Sequence, residues 1–127
     1  MTYEEYNRFC ATLAGATHVV QWGGHHVWKV GAKVFCIGGG SPSAPAYSFK
    51  VSEIGFMLLP ERPGFRPAPY LASRGLKWIQ ADGLVVEAQE LRDLIGDSHT
   101  LVVAGLTRKK RGELGLDGGK ARYVKNP

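Results

Sequence analysis

The chain opens with apolar residues at helical spacing. Tyr6, Phe9, Cys10 and Leu13 fall at i, i+3, i+4 and i+7, and Thr2 stands three residues before Glu5 as in a capping box. This predicts an amphipathic first helix that ends at Gly15. From His25 the period changes to two, with His26, Trp28 and Val30 on one side of a strand and Val27 and Lys29 on the other. Gly31-Ala32 supplies a hairpin turn into a second strand, Lys33 through Ile37. Residues 38–45 are glycine, serine, proline and alanine only, which predicts a loop. A third strand over 46–51 sets Tyr47, Phe49 and Val51 against Ser48 and Lys50.

Ser52 can cap a short helix carrying Ile54, Met57, Leu58 and Leu59, stopped by Pro60. Three prolines and a glycine in 62–69 predict a structured loop. Residues 70–72 and 76–81 read as two strands around Ser73-Arg74-Gly75. Leu91, Leu94, Ile95, Leu101 and Val102 form the apolar stripe of a long helix over 87–104. The order α-β-β-β-α-β-β-α implies an α+β two-layer sandwich, an antiparallel sheet with helices on one face. If Trp28, Tyr47 and Phe49 meet the helices, Lys29 and Lys50 project onto the open face.

Length and composition (127 residues, 44% apolar) fit one globular domain. No apolar run approaches the roughly 18 residues of a membrane span, and the start of the chain is polar, so a soluble, unexported, cytoplasmic protein with no membrane partner is expected. Cys10 and Cys36 lie in apolar surroundings and read as buried, reduced thiols. Charge divides the chain. Residues 107–127 carry Arg108, Lys109, Lys110, Arg111, Lys120, Arg122 and Lys125 against Glu113 and Asp117, whereas 1–106 are balanced. A single domain over 1–106 and a flexible, basic, glycine-rich tail over 107–127 are therefore expected. Within the body, Lys29, Lys33, Lys50, Arg62, Arg66, Arg74 and Lys77 face only Glu53 and Glu61 along residues 29–77, and the helices carry the compensating acids.

Several segments in order resemble the MmcQ/YjbR family of small bacterial proteins, described as DNA-binding with a CyaY-like, double-wing architecture. They are Thr2-Tyr3-Glu4-Glu5 with Leu13-Ala14-Gly15-Ala16, the Trp28 to Phe35 hairpin, Phe49-Lys50-Val51, Pro63-Gly64-Phe65 then Pro67, Tyr70-Leu71, Lys77-Trp78-Ile79, and the closing helix from Glu90-Leu91 to Val102. The resemblance covers about 1–106. It implies the two-layer body and nucleic-acid binding with the hairpins as wings, and no reaction. His99 departs from it, standing where relatives tend to have an aromatic residue, and the basic tail lies outside it.

The chemistry-bearing residues favour the same class. Adjacent strand residues point to opposite faces, so His25 and His26 cannot chelate together, the acids are not clustered, and no metal or other cofactor is expected. Gly38-Gly39-Gly40-Ser41 lacks the Gly-Lys-Ser/Thr of a phosphate loop. Ser41, Ser43 and Cys36 have no base nominated by spacing, so no catalytic residue is assigned and no enzyme is expected. The expected function is DNA binding, duplex DNA with little sequence preference ahead of RNA. Lys29, Lys33, Lys50, Arg74 and Lys77 would contact phosphates, and Arg108, Lys109, Lys110 and Arg111 would add a diffuse attraction. Tyr47, Tyr70, Trp28 and Trp78 are candidates for stacking on bases, although strand parity turns Trp28 and Tyr47 inward. The alternative is a protein-interaction module that binds a peptide or a second copy, as a homodimer, through the open face or a strand edge, as secretion chaperones of similar shape do.

Overall fold

A computed structural model describes residues 1–116. Helix α1 (Tyr3–Cys10) begins with the capping box: Thr2 Oγ1 accepts from Glu5 N and the Glu5 carboxylate accepts from Thr2 N. Six strands follow: β1 (Ala16–Gln21), β2 (His25–Val30), β3 (Lys33–Ser41), β4 (Ala44–Lys50), β5 (Phe65–Pro67) and β6 (Trp78–Asp82). Helix α2 (Glu53–Leu58) lies between β4 and β5, and α3 (Ala88–Ala104) and α4 (Arg108–Glu113) close the described chain. The strands form one antiparallel sheet in the order β1-β2-β3-β4-β6-β5. The α+β architecture is the expected one. Two of its strands, β1 and β5, and the full length of β3 are not.

Register explains which face is which. Trp28 pairs with Cys36, Cys36 with Phe49, and Phe49 with Ile79, so these four share a face, together with Tyr47 and Ala81. That face meets Tyr6 and Cys10 of α1 and Leu91, Ile95, Val102 and Val103 of α3 in the main core. A bulge between Trp28 and Lys29 leaves Phe35 unpaired. Ser98 of α3 enters at that point: its hydroxyl donates to Phe35 O (2.7 Å) and accepts from Lys50 N (2.9 Å), tying α3 to β3 and β4.

The glycine run is strand, not loop. Only residues 42–43 turn, and Gly38 and Gly39 pair with Tyr47 and Ala46. A Cβ at Gly38 would come within 2.7 Å of the Tyr6 ring, and one at Gly39 within 3.2 Å of the His25 ring. The Tyr6 ring requires the missing side chain at Gly38, and the His25 ring fits closely over Gly39. Residues 70–72 are not a strand either. Leu71 N donates to Pro69 O (2.8 Å), a three-residue turn around Tyr70, and a short 3-10 turn, Ala72–Arg74, follows. Pro60 sits in the 3-10 turn Leu59–Glu61 that continues α2, whose Ile54, Met57 and Leu58 face solvent while Phe56 and Leu59 pack on the core.

The expected flexible tail is corrected over its first ten residues. Thr107 caps α4, accepting from Lys110 N, and the helix brings Leu116, 3% exposed, into the core. Lys120, Arg122 and Lys125 lie outside the described residues. His99 is buried, with its ring edge-on to Phe35. Ala14 O can only accept, so Nε2, 2.8 Å away, carries the proton, and Nδ1 is buried without a partner. Burial therefore holds the His99 pKa below the ordinary value, with the Ala14 bond acting weakly in the opposite direction.

Two expected outcomes follow from this packing. Leu116→Ala should destabilise the protein by about 2–5 kcal/mol in denaturant titrations; an unchanged midpoint would mean that α4 does not dock. Because the unfolded His99 takes up a proton that the native ring resists, stability should be full above the ordinary histidine range and fall as pH drops through it. In His99→Phe the acid-side slope between about pH 7 and pH 5 should shrink; an identical slope in both proteins would locate its source elsewhere.

Candidate functional site

The sheet face turned away from α1 and α3 gathers three of the four Lys and Arg residues of the strands. Lys29 pairs with Thr17 and Val34, and Lys50 with Trp78, all on this face. Lys29 and Lys50 lie near the same level two strands apart, about 10 Å by the usual strand spacing. Arg66 joins them across β6, where its Nε and Nη2 donate to Gln80 Oε1 at 2.8 and 2.6 Å. The one acid in the six strands, Asp82, is on this face too, but its carboxylate accepts from Leu84 N and closes a turn. Arg66 was absent from the expected site because its segment, rich in proline, reads as loop. Arg66 directly after the buried Phe65 was the available signal, since neighbours on a strand point to opposite faces.

The other expected site residues are dispersed. Lys33 pairs with Val30, which puts it on the helix side at the tip of the β2–β3 hairpin. Lys77 precedes β6, with its ammonium 4.9 Å from the centre of the Phe56 ring, and Arg74 is exposed on the turn before it. Arg111 folds back: its Nη1 donates to Leu106 O (2.9 Å) and Ala104 O (3.3 Å), occupying carbonyls at the end of α3. Lys110 is 4.0 Å from Glu113, and Arg108 and Lys109 are exposed on α4. Arg108 to Arg111 thus belong to a docked helix rather than a free arm.

Of the four stacking candidates, Trp28 and Tyr47 are core residues. Trp28 Nε1 donates to Asn7 Oδ1 (3.0 Å), and the Tyr47 hydroxyl donates to Met1 O (2.6 Å). Trp78 faces away from the helices but is buried. Tyr70 is 84% exposed. Opposite it stands a residue the sequence reading passed over, Trp22, 58% exposed in the β1–β2 turn. Both rings border a cleft of about 440 Å³ whose floor is Gly39, Ala46 and Ser48, with His25 and Gln80 beside it. Both residues also have positive φ, +54° for Trp22 and +67° for Tyr70, where a non-glycine residue costs on the order of 1 kcal/mol. The signal in the sequence was an aromatic residue directly before Gly23-Gly24 in a turn.

The histidines divide as strand geometry requires: His25 lies over Gly39, while His26 faces α1, 3.3 Å from Asn7 Nδ2. His18 Nε2 and His26 Nδ1 are 3.3 Å apart with parallel rings, and burial followed by the neighbouring His26 lowers the His18 pKa. Among the described residues, no three His, Cys, Asp or Glu side chains are grouped to hold a metal. Ser41 and Ser43 hydrogen-bond to each other at the exposed β3–β4 turn. Cys10 and Cys36 are free and buried; burial pushes Cys36 up to about 12 and raises Cys10 strongly. No helix among the described residues is long and apolar enough to cross a membrane.

A profile of one protein family, YjbR, matches residues 11–101. The chain belongs to the YjbR family. The YjbR fold is also visible in solved structures. The chain is similar to the Deinococcus radiodurans protein DR2400, of domain DUF419, with a TM-score of 0.76, 24% identity and 94% of each chain covered. It is also similar to a protein from Pseudomonas syringae, with a TM-score of 0.66, 17% identity, and 80% of this chain and 98% of that one covered. At these identities the likeness is one of fold. No curated protein matches the sequence.

The two thiols generate a chemical expectation. Iodoacetamide near pH 8 should leave both unmodified in the native protein and alkylate both after denaturation, read by mass spectrometry, because the thiolate is the reactive form. Rapid native alkylation would contradict their burial.

Proposed function

We propose that this YjbR protein is a non-enzymatic nucleic-acid-binding protein that holds DNA by its phosphate backbone on the sheet face opposite the helices. The observation that carries the reading is the charge of that face. Lys29, Lys50 and Arg66 project from it, against an Asp82 already engaged in a turn, while Arg74 and Lys77 lie on the connection before β6. The acids Glu4, Glu5, Glu90, Asp93 and Asp97 are on α1 and α3, on the other side of the sheet. A dipolar body of this kind orients toward a polyanion before contact. Lys33 at the hairpin tip, and Arg108, Lys109 and Lys110 on α4, add to the field without sharing the surface, while Arg111 serves chiefly to cap α3.

A second reading has its own observation. The outer edge of β1 is long and carries neither proline nor a Lys, Arg, Asp or Glu side chain, so a peptide or a second copy can add a strand there. Binding of that kind is insensitive to salt.

Anisotropy titrations of labelled DNA at several salt concentrations separate the two. The full chain should bind with affinity falling steeply with salt, and the Lys29→Ala, Lys50→Ala double variant should reduce the slope of log K against log salt by about two units. An unchanged slope would remove the sheet face as the site.

A further inference from the structure

We infer that the cleft between Trp22 and Tyr70 stacks an unpaired base, so that the strand held on this face is single; the inference rests on the phosphate reading above. The two aromatics reach the cleft from opposite edges of the sheet. Trp22 comes from the β1–β2 turn, and Tyr70 from the connection between β5 and β6, while the floor is the middle of the sheet, β3 and β4. Gly39, Ala46 and Ser48 keep much of the floor low, with Ile37 beside them, and Trp22 and Tyr70 border the space. Its volume of about 440 Å³ is that of a small-ligand site and accommodates one nucleoside.

Strain supports the assignment. Trp22 and Tyr70 are two of three non-glycine residues with positive φ among those described, and the third, Ala32, is in a tight hairpin turn. Glycine would serve both turns at lower cost, and glycines already occupy the two positions after Trp22. Large exposed rings held at unfavourable backbone positions contribute little to the core, and their value lies in what they meet. Tyr70 closes the strained form of a three-residue turn, with Leu71 N bonded to Pro69 O, which fixes the ring's starting point.

Charge and polarity select the occupant. Arg66 lies beside the cleft through its bonds to Gln80, and Lys50 is on the same face, in position for the phosphates flanking a stacked base. Ser48, Gln80 and His25 present polar groups to a base edge. Base stacking on aromatic rings within a basic groove is tolerant of sequence and requires the base to be out of the duplex. In B-form DNA the bases are stacked on one another, and Trp22 and Tyr70 have no base face to meet.

The test uses the full chain and three fluorescein-labelled probes of one length: a mixed-sequence DNA strand, the same sugar-phosphate chain with abasic sites, and the strand annealed to its complement. The base-bearing strand should bind more tightly than either of the others by about five- to hundredfold. Trp22→Gly and Tyr70→Gly should each remove most of that preference, with the melting temperature unchanged or raised because the strain is relieved. Trp22→Phe and Tyr70→Phe should keep it. Since Trp28 and Trp78 are buried, quenching of tryptophan emission by the unlabelled strand should report Trp22 and vanish in Trp22→Phe. Equal affinity for all three probes with the salt slope intact, or a preference that survives loss of either ring, overturns the stacking site and leaves the phosphate reading standing. Absence of salt-dependent binding to every probe overturns both.

Discussion

The absence of side chains at Gly38 and Gly39 is the constraint on which the two layers depend. Tyr6 lies against one side of β3, closer than a Cβ at Gly38 would permit, and His25 lies against the other, where a Cβ at Gly39 would be a tight contact. The Tyr6 hydroxyl then reaches His26 O (2.9 Å) and the Tyr3 hydroxyl reaches Gly39 O (2.6 Å), so α1 is pinned to the sheet by its own aromatics. Burial of these phenols raises their pKa values, most strongly for Tyr6, which keeps them as donors. The same two residues that let the helix approach on one face leave the floor of the cleft low on the other. Core packing and surface shape are here a single property of the chain.

Much of the fold was legible where one period dominated. The alternation of Tyr47, Phe49 and Val51, the Thr2 cap and the α3 stripe each agree with a buried face, and Lys29 and Lys50 fall on the opposite face by the same parity. Legibility failed where tertiary context decides. A run of glycine, serine and proline has loop composition, yet becomes strand because rings need the space beside it. β1 does not alternate in burial, since as an edge strand it exposes most of its side chains, and it was invisible for that reason. Trp22 and Tyr70 were missed or half-seen because their distinguishing property is a backbone angle that sequence reading assigns to glycine.

The basic segment after α3 shows how composition can mislead about order. Four consecutive cations at the start of α4 oppose that helix's own dipole, which argues for disorder when the segment is considered alone. Two contacts outweigh it: Leu116 fills a site in the core near Gly15 and Val30, and Arg111 places its charge on the carbonyl end of α3, where the field favours it. The positive charge is thereby attached to the rigid body, and its orientation relative to the sheet is fixed through residue 116.

The two borders of the sheet differ in a way that limits assembly. β5 is three residues long and ends in Pro67, which has no N–H to offer. β1 presents six residues with none of the usual guards. An incoming identical chain can pair β1 with β1 about a two-fold axis, and that pairing consumes the free border of both partners. Strand addition by such a pairing would terminate at a closed pair, because the described residues offer no second receptive border from which a filament could propagate.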